Sequence, residues 1–338
     1  MEKIIFPKVI FGTSGLGNLY VPLSDEAKLA IVAQSIKCSR KPVVFDSAGK
    51  YGAGLALESL GRSLKQLNVS HSDVLISNKL GWLRTELKTA EPTFEPGVWR
   101  DLKHDAVQKI SYEGILECYE QGNELLGDYR AELVSVHDPD EYLAAAKNEA
   151  DQMQRYQDIL EAYRALHELK QQGKVKAIGV GSKDWRIIKR ITRDVGLDWV
   201  MIANSMTIHS HPVELVEFMQ ELENQEIAII NSAVFNGGFL TGSAYYNYQL
   251  KDPVKDKSLY HWRALFYRLC KDFNINPVDA CIVFGLKAPG VKSIALNTTN
   301  ADRVALNVAI ASLKIPGGFW NEMGERGLIN KAFASAYL

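Results

Sequence analysis

Eight short runs of aliphatic and β-branched residues punctuate the chain: KVIFGT (8–13), VVFDS (43–47), DVLIS (73–77), ELVSVH (132–137), KVKAIGV (174–180), WVMIAN (199–204), IAIINS (227–232) and VKSIAL (291–296). Each has the length and composition of a buried strand. Between them, apolar positions recur at helical spacing over 24–38, 51–67, 112–127, 151–172, 184–194, 213–224, 261–273 and 299–313, and several of these segments open on a Ser, Asp, Thr or Asn cap. A strand followed by a helix, eight times over, predicts parallel strands joined by helical crossovers. The pattern closes most naturally as an α/β fold of the (β/α)8 TIM-barrel type, one domain over 1–338.

An open, doubly wound sheet is the rival. The segment after the first run, GTSGLGNLY, does not spell the G-x-G-x-x-G turn of a dinucleotide-binding sheet, and no G-x-x-x-x-G-K-[ST] loop occurs. No Pro/Gly/Ser-rich linker divides the chain. Long irregular stretches are expected at 80–111 and 233–257, after strands 3 and 7, on the strand-end face where barrels carry their chemistry.

Four polar residues stand where apolar runs end: Asp46 after VVF, Tyr51 five positions on, Lys79 after VLIS and His137 after ELVSV. An acid, a phenol, an amine and an imidazole are the parts needed to move a proton while a cofactor moves a hydride. Tyr51 is the expected acid/base, Lys79 the cation that stabilises its phenolate, Asp46 the carboxylate that holds Lys79 charged, and His137 the donor that positions the substrate oxygen. Singly, each has an ordinary reading as a cap, an interfacial aromatic, a solvated lysine or a turn residue. All four in this order are a far more specific signal.

Composition narrows the partners. The 338 residues are 46% hydrophobic and 23% charged, enough apolar material for a large core. Lys plus Arg (39) nearly cancels Asp plus Glu (40), so neither nucleic acid nor an acidic membrane is an expected partner, and a small-molecule substrate is. The first residues, MEKIIFPKVIFG, do not read as a signal peptide, and no stretch approaches membrane-spanning length. Cys38, Cys118, Cys270 and Cys281 form no C-x-x-C pair and no zinc pattern, so no metal is expected and cytoplasm is the default compartment. His209 and His211, in IHSH, lack a third ligand nearby and read as loop or substrate-gate residues. Tyr20, Trp82 and Trp99 are candidates for an apolar wall against a substrate, with packing an equal alternative.

The segments FDSAGKYG (45–52), SNKLG (77–81), VSVHDPDEY, GKVKAIGVG (173–181) and NSAVFNGG (231–238) together resemble the aldo-keto reductase superfamily, over nearly the full chain. The insertion after Lys79, with PGVWRD and KHDAVQKISYEGILECYEQGNELLG, is similar to the branch that includes D-threo-aldose 1-dehydrogenases, also called L-fucose or galactose dehydrogenases, and pyridoxal 4-dehydrogenase. The resemblance implies that Asp46, Tyr51, Lys79 and His137 are a catalytic tetrad and that the cofactor is NAD or NADP. It further implies cofactor contacts from Ser182, without the Asn that usually follows it, from Asn204, and from the Asn236, Gly237 and Gly238 loop, where Val234 replaces a typical Pro. Members that prefer NADP carry a Lys soon after the eighth strand and an Arg further on. Here Asn297 stands near the Lys position, Arg303 is kept, and Asn307 falls where an adenine contact is expected, which favours NAD and leaves NADP open. The implied activity is oxidation of an aldose at C1 to a lactone, or of a related alcohol or aldehyde. The alternatives are a carbonyl reductase of another substrate and a cofactor-binding regulatory protein on the same barrel. Oligomeric state, substrate and direction are not fixed by the sequence.

Overall fold

In the computed structural model, which describes residues 4–338, eight parallel strands form a closed barrel. They are β1 (Val9–Gly12), β2 (Val43–Ala48), β3 (Val74–Leu80), β4 (Ala131–His137), β5 (Ala177–Ser182), β6 (Trp199–Ala203), β7 (Ala228–Ser232) and β8 (Val291–Leu296). Each pairs with its sequence neighbour, and β8 returns to β1 through Val9 opposite Ile294 and Phe11 opposite Leu296. The helices are α1 (Asp25–Cys38), α2 (Leu55–Gln66), α3 (Tyr112–Leu126), α4 (Pro139–Ala144), α5 (Glu149–Gln171), α6 (Trp185–Asp194), α7 (Val213–Asn224), α8 (Lys257–Asp272), α9 (Pro277–Lys287), α10 (Asp302–Ile310), α11 (Gly317–Glu325) and α12 (Lys331–Tyr337). None of the described helices is long and apolar enough to cross a membrane.

Strand periodicity of two sorts the side chains. One set, including Val43, Phe45, Val74, Ile76, Val134, Val136, Ile178, Val180, Val200 and Ile202, is buried in the clusters that include the helices. The other set fills the barrel. Its lower layer is apolar, with Ile10, Val44, Leu75, Leu133, Ala177, Trp199, Met201 and Ile230 in one cluster. Two residues further along three neighbouring strands the apolar layer gives way to Asp46, Ser77 and Ser135, and Lys79 and His137 follow one more step up. Trp199 is fully buried and fills the space left by Gly179, where a Cβ would lie 2.2 Å from the indole. The floor is therefore sealed and apolar, while the upper end is polar.

Local chemistry explains where elements start and stop. Ser24, Ser111, Asn148, Asp184 and Asn276 each accept a backbone N–H at the start of a helix, as caps do. The run at 174–180 becomes a strand only from Ala177, because Gly173 (φ 71°) and Lys174 use their N–H groups to close α5, bonding Lys170 and Leu169 carbonyls. The helix expected from residue 51 starts at Leu55, since Gly52, Ala53 and Gly54 all have positive φ and form a turn. A Cβ on Gly52 would lie 2.3 Å from the Gly17 carbonyl, so this turn packs backbone to backbone against the β1 loop.

The two long stretches are more ordered than expected. After β3 the chain passes Gly81 (φ 115°) into an antiparallel hairpin, Trp82–Glu86 against His104–Gln108. Arg84 ties the hairpin down, donating to the Ala53 carbonyl at 2.6 Å and to Glu58 at 2.9 Å, while its backbone exchanges bonds with Gln121. The stretch after β7 contains a small hairpin, Tyr245–Tyr246 against Gln249–Leu250. α9, which supplies the crossover into β8, was not expected; it opens on the cap-and-proline pair Asn276 and Pro277.

Candidate active site

The carboxyl ends of the strands surround a cavity of about 570 Å³, a size that holds a small-molecule ligand. Asp46, Tyr51, Lys79 and His137 all line it. β2 and β3 run in register with Ala48 opposite Lys79, and β3 and β4 with Leu80 opposite Val136, so the three strand-borne groups are fixed by barrel hydrogen bonds rather than by loops. Lys79 lies within β3 instead of beyond it. Tyr51 sits on the glycine turn after β2, which places its ring over the barrel mouth.

Lys79 Nζ donates to Asp46 Oδ2 at 2.5 Å and to the Ser47 carbonyl at 3.1 Å, and Ser77 Oγ donates to Asp46 Oδ1 at 3.1 Å. Both charges are buried, and a buried pair survives only with such additional bonds. Lys79 Nζ lies 4.7 Å from the centre of the Tyr51 ring, and the His137 ring meets Tyr51 edge-on at 5.7 Å. Burial pushes the Tyr51 phenol up to about 12, with Lys79 opposing that rise. Burial also works against the Lys79 charge, but Asp46 and Tyr51 more than offset it and the ammonium is held above its ordinary pKa. His137 is driven well below the usual imidazole range by burial and by the nearby ammonium groups of Lys79, Lys50 and Lys183. The site at neutral pH is therefore a protonated phenol, a fixed cation and a neutral imidazole. Such a set can donate a proton to an oxygen on which negative charge develops.

A second polar group borders the cavity, and sequence reading missed it. Lys50, buried beside Tyr51, bonds Glu95 at 2.8 Å and Glu141 at 2.9 Å, and Lys183 also pairs with Glu141. Glu95 in turn accepts from Trp99 Nε1 at 2.7 Å, which sets the Trp99 ring 5.8 Å from Tyr51. Tyr248 joins from the small hairpin after β7, its ring 5.6 Å from Lys183 Nζ. These residues come from the segments that follow five different strands, β2, β3, β4, β5 and β7, so no spacing in the chain announces them.

The opposite wall is made of backbone and small residues. Gly12, Gly181, Ser182, Ala203, Ser232, Ala233, Gly237, Gly238 and Asn297 line it. A Cβ on Gly181 would stand 3.4 Å from the Lys79 chain, and one on Gly237 would meet the Tyr248 nitrogen at 3.0 Å. Among the other residues singled out from sequence, Tyr20 and Trp99 line the cavity, whereas Trp82, Asn204, Asn236, Arg303 and Asn307 do not. Trp82 stacks behind Lys50, 5.3 Å from its Nζ, and against Phe94. Asn236 is buried and braces its own loop, donating to the Asn204 carbonyl and to Asn247. Asn297 Oδ1 accepts the Gly15 N–H at 3.2 Å, and Arg303 is exposed on α10. His209 and His211 lie away from the cavity. His209 bonds Tyr246 at 2.8 Å, and His211 accepts the Asn330 N–H at 2.9 Å while contacting the Thr207 carbonyl. Among the described residues no group of three His, Cys, Asp or Glu side chains converges as a metal site, and all four cysteines are unpaired.

Comparison with known proteins agrees with this geometry. The sequence profile of the aldo/keto reductase family matches residues 8–325. The chain is 26% identical to D-threo-aldose 1-dehydrogenase from a Pseudomonas species, covering 96% of this chain and 95% of that one. It is 25% identical to pyridoxal 4-dehydrogenase from Microbacterium luteolum, covering 94% and 93%. A solved aldo-keto reductase from Bacillus halodurans, in its holo form, superposes with a TM-score of 0.68 at 16% identity over 98% of this chain and 96% of that one, a likeness of fold. With a family match across almost its whole length and a closed eight-stranded barrel beneath it, the chain belongs to the aldo/keto reductase family and is an oxidoreductase.

Proposed function

We propose that this enzyme transfers a hydride between a nicotinamide dinucleotide and an aldose, oxidising the anomeric hydroxyl to a lactone, with Tyr51 as the group that exchanges the proton. The observation that carries this reading is the convergence of Tyr51, Lys79, Asp46 and His137 at one end of a cavity that also has a wall of small residues. That wall fits a flat ring and a phosphate chain: Ser182, Gly181, Ala233, Gly237 and Gly238 would lie along a bound dinucleotide, which supplies the hydride acceptor. We favour NAD over NADP because Asn297, not a lysine, lines the cavity after β8 and its Oδ1 is taken by the Gly15 N–H, while Arg303, exposed on α10, does not line it.

In oxidation, Tyr51 takes the proton from the sugar hydroxyl and Lys79 stabilises the phenolate that results. His137, neutral, holds the sugar oxygen by a hydrogen bond. Asp46 keeps Lys79 charged and aimed. The polar border of Lys50, Glu95, Glu141 and Lys183 suits a substrate rich in hydroxyl groups, and the similarity to an aldose dehydrogenase supports the same class.

The test is absorbance at 340 nm with NAD or NADP and a panel of aldoses plus pyridoxal, run beside Tyr51→Phe. One sugar should reduce the cofactor, and the variant should lose roughly a hundred- to ten-thousandfold in rate. Silence across the sugars, with cofactor still bound, would sink the aldose reading.

A further inference from the structure

Asp138 is a charged group at the cavity that neither the tetrad nor the Lys50, Glu95, Glu141 and Lys183 pairs described above put to use. It follows His137 directly in a left-handed conformation, φ 44°, and its N–H donates to the Gly181 carbonyl at 3.1 Å, so its carboxylate borders the cavity. Oδ2 stands 3.6 Å from His137 Nε2, 3.5 Å from Lys183 Nζ and 3.9 Å from Lys50 Nζ. The Asp138 carboxylate accepts no hydrogen bond from any described residue, although the residue is 9% exposed. The two lysines are meanwhile held by Glu95 and Glu141. A nearly buried carboxylate ringed by three donors, each slightly too far for a good bond, is an acceptor awaiting a small polar group.

The geometry points to Asp138 as the reader of the substrate hydroxyl on the carbon next to the reacting one. Such a hydroxyl donates its proton to Oδ2 and accepts from Lys50 or Lys183 in the same gap. The neighbouring carbon is selected because Oδ2 lies beside His137, the imidazole assigned to the reacting oxygen, and oxygens on adjacent carbons are separated by about the length of one hydrogen bond. The preferred class is then α-hydroxy aldehydes and their cyclic hemiacetals, uncharged at that position because each lysine already has an acid. This rests on the tetrad roles proposed above, but not on the substrate being a sugar.

The test compares 2-hydroxypropanal with propanal, which differ only by that hydroxyl, in reduction by the wild type, Asp138→Asn and Asp138→Ala. The wild-type ratio of kcat/KM should favour the hydroxy aldehyde by roughly ten- to a hundredfold. It should fall to about one in Asp138→Ala and to an intermediate value in Asp138→Asn, which keeps one acceptor oxygen. Structural damage would slow both aldehydes alike and leave the ratio in place, and melting curves with cofactor titration check each variant. A wild-type ratio near one overturns the assignment without any variant, as does a ratio preserved in Asp138→Ala. An enzyme that ignores every aldose yet shows the expected ratios loses the sugar reading and keeps this one; inactivity on both aldehydes overturns this assignment and leaves the sugar reading to the aldose panel.

Discussion

Tyr51 is where the chemistry is most exposed to test. With the phenol pushed up to about 12 by burial, and Lys79 pulling the other way, the protonated form dominates through the neutral range. In the acid/base role proposed for Tyr51, reduction uses its proton and should be nearly flat between about pH 6 and 9, while oxidation needs the proton removed and should keep rising with pH toward 10. Rate profiles in both directions measure this; an oxidation plateau near neutrality would assign the base to another group. The four candidates could be picked out together because Asp46, Lys79 and His137 end or interrupt apolar runs with Tyr51 five positions after the first, and the strand register brings them to one cavity. Lys50, Glu95, Asp138, Glu141 and Lys183 were not legible as a group. Charged residues in loops look solvated until the fold brings their partners to them, and Lys50 is buried only because Glu95 and Glu141 meet it there.

At the level of elements, the inner layer of the barrel is a fitted set. Gly179 and Trp199 face each other on adjacent strands in register, and the indole occupies the volume a side chain at 179 would need. Gly179→Ala should destabilise the protein by about 1–3 kcal/mol through overpacking. Trp199→Leu alone should also destabilise it, and the double variant should be less damaged than the two single effects predict, a coupling that denaturant melts of all four proteins would reveal. Additive losses would show that the two sites relax independently. Strand and helix order could be read from periodicity, since each strand has a clear apolar run and most helices an apolar stripe. The hairpin after β3 was hidden because its first strand, Trp82–Glu86, has mixed polarity and is only half-buried. α9 escaped because it is largely buried and lacks the polar face that marks a surface helix.

Across the whole molecule, the last two helices are joined to the barrel by Trp262, whose Nε1 donates to the Leu328 carbonyl at 3.0 Å, and by His211, which receives the Asn330 N–H. Burial holds His211 below the ordinary imidazole range, with the Thr207 carbonyl opposing and His209 reinforcing the shift; His209 and His137 are also depressed. A folded pKa below the unfolded value near 6.5 means that the unfolded chain binds the proton first. The stabilisation is therefore present above about pH 6.5 and is lost as pH falls toward the folded values. Melting temperature should drop from pH 7 to 5, and His211→Gln should flatten that slope by about one proton while lowering stability at pH 7. An unchanged slope would place the acid sensitivity on the other imidazoles.

The sealed barrel floor has a kinetic corollary. With Ile10, Leu75, Leu133 and Trp199 closing the bottom, the cavity is a cup with a single rim, not a passage. Two molecules that must meet inside it share one doorway, so whichever settles deeper has to arrive first and depart last. Product-inhibition patterns should accordingly show a compulsory sequence of arrivals and departures, set by the shape of the vessel before any chemistry begins.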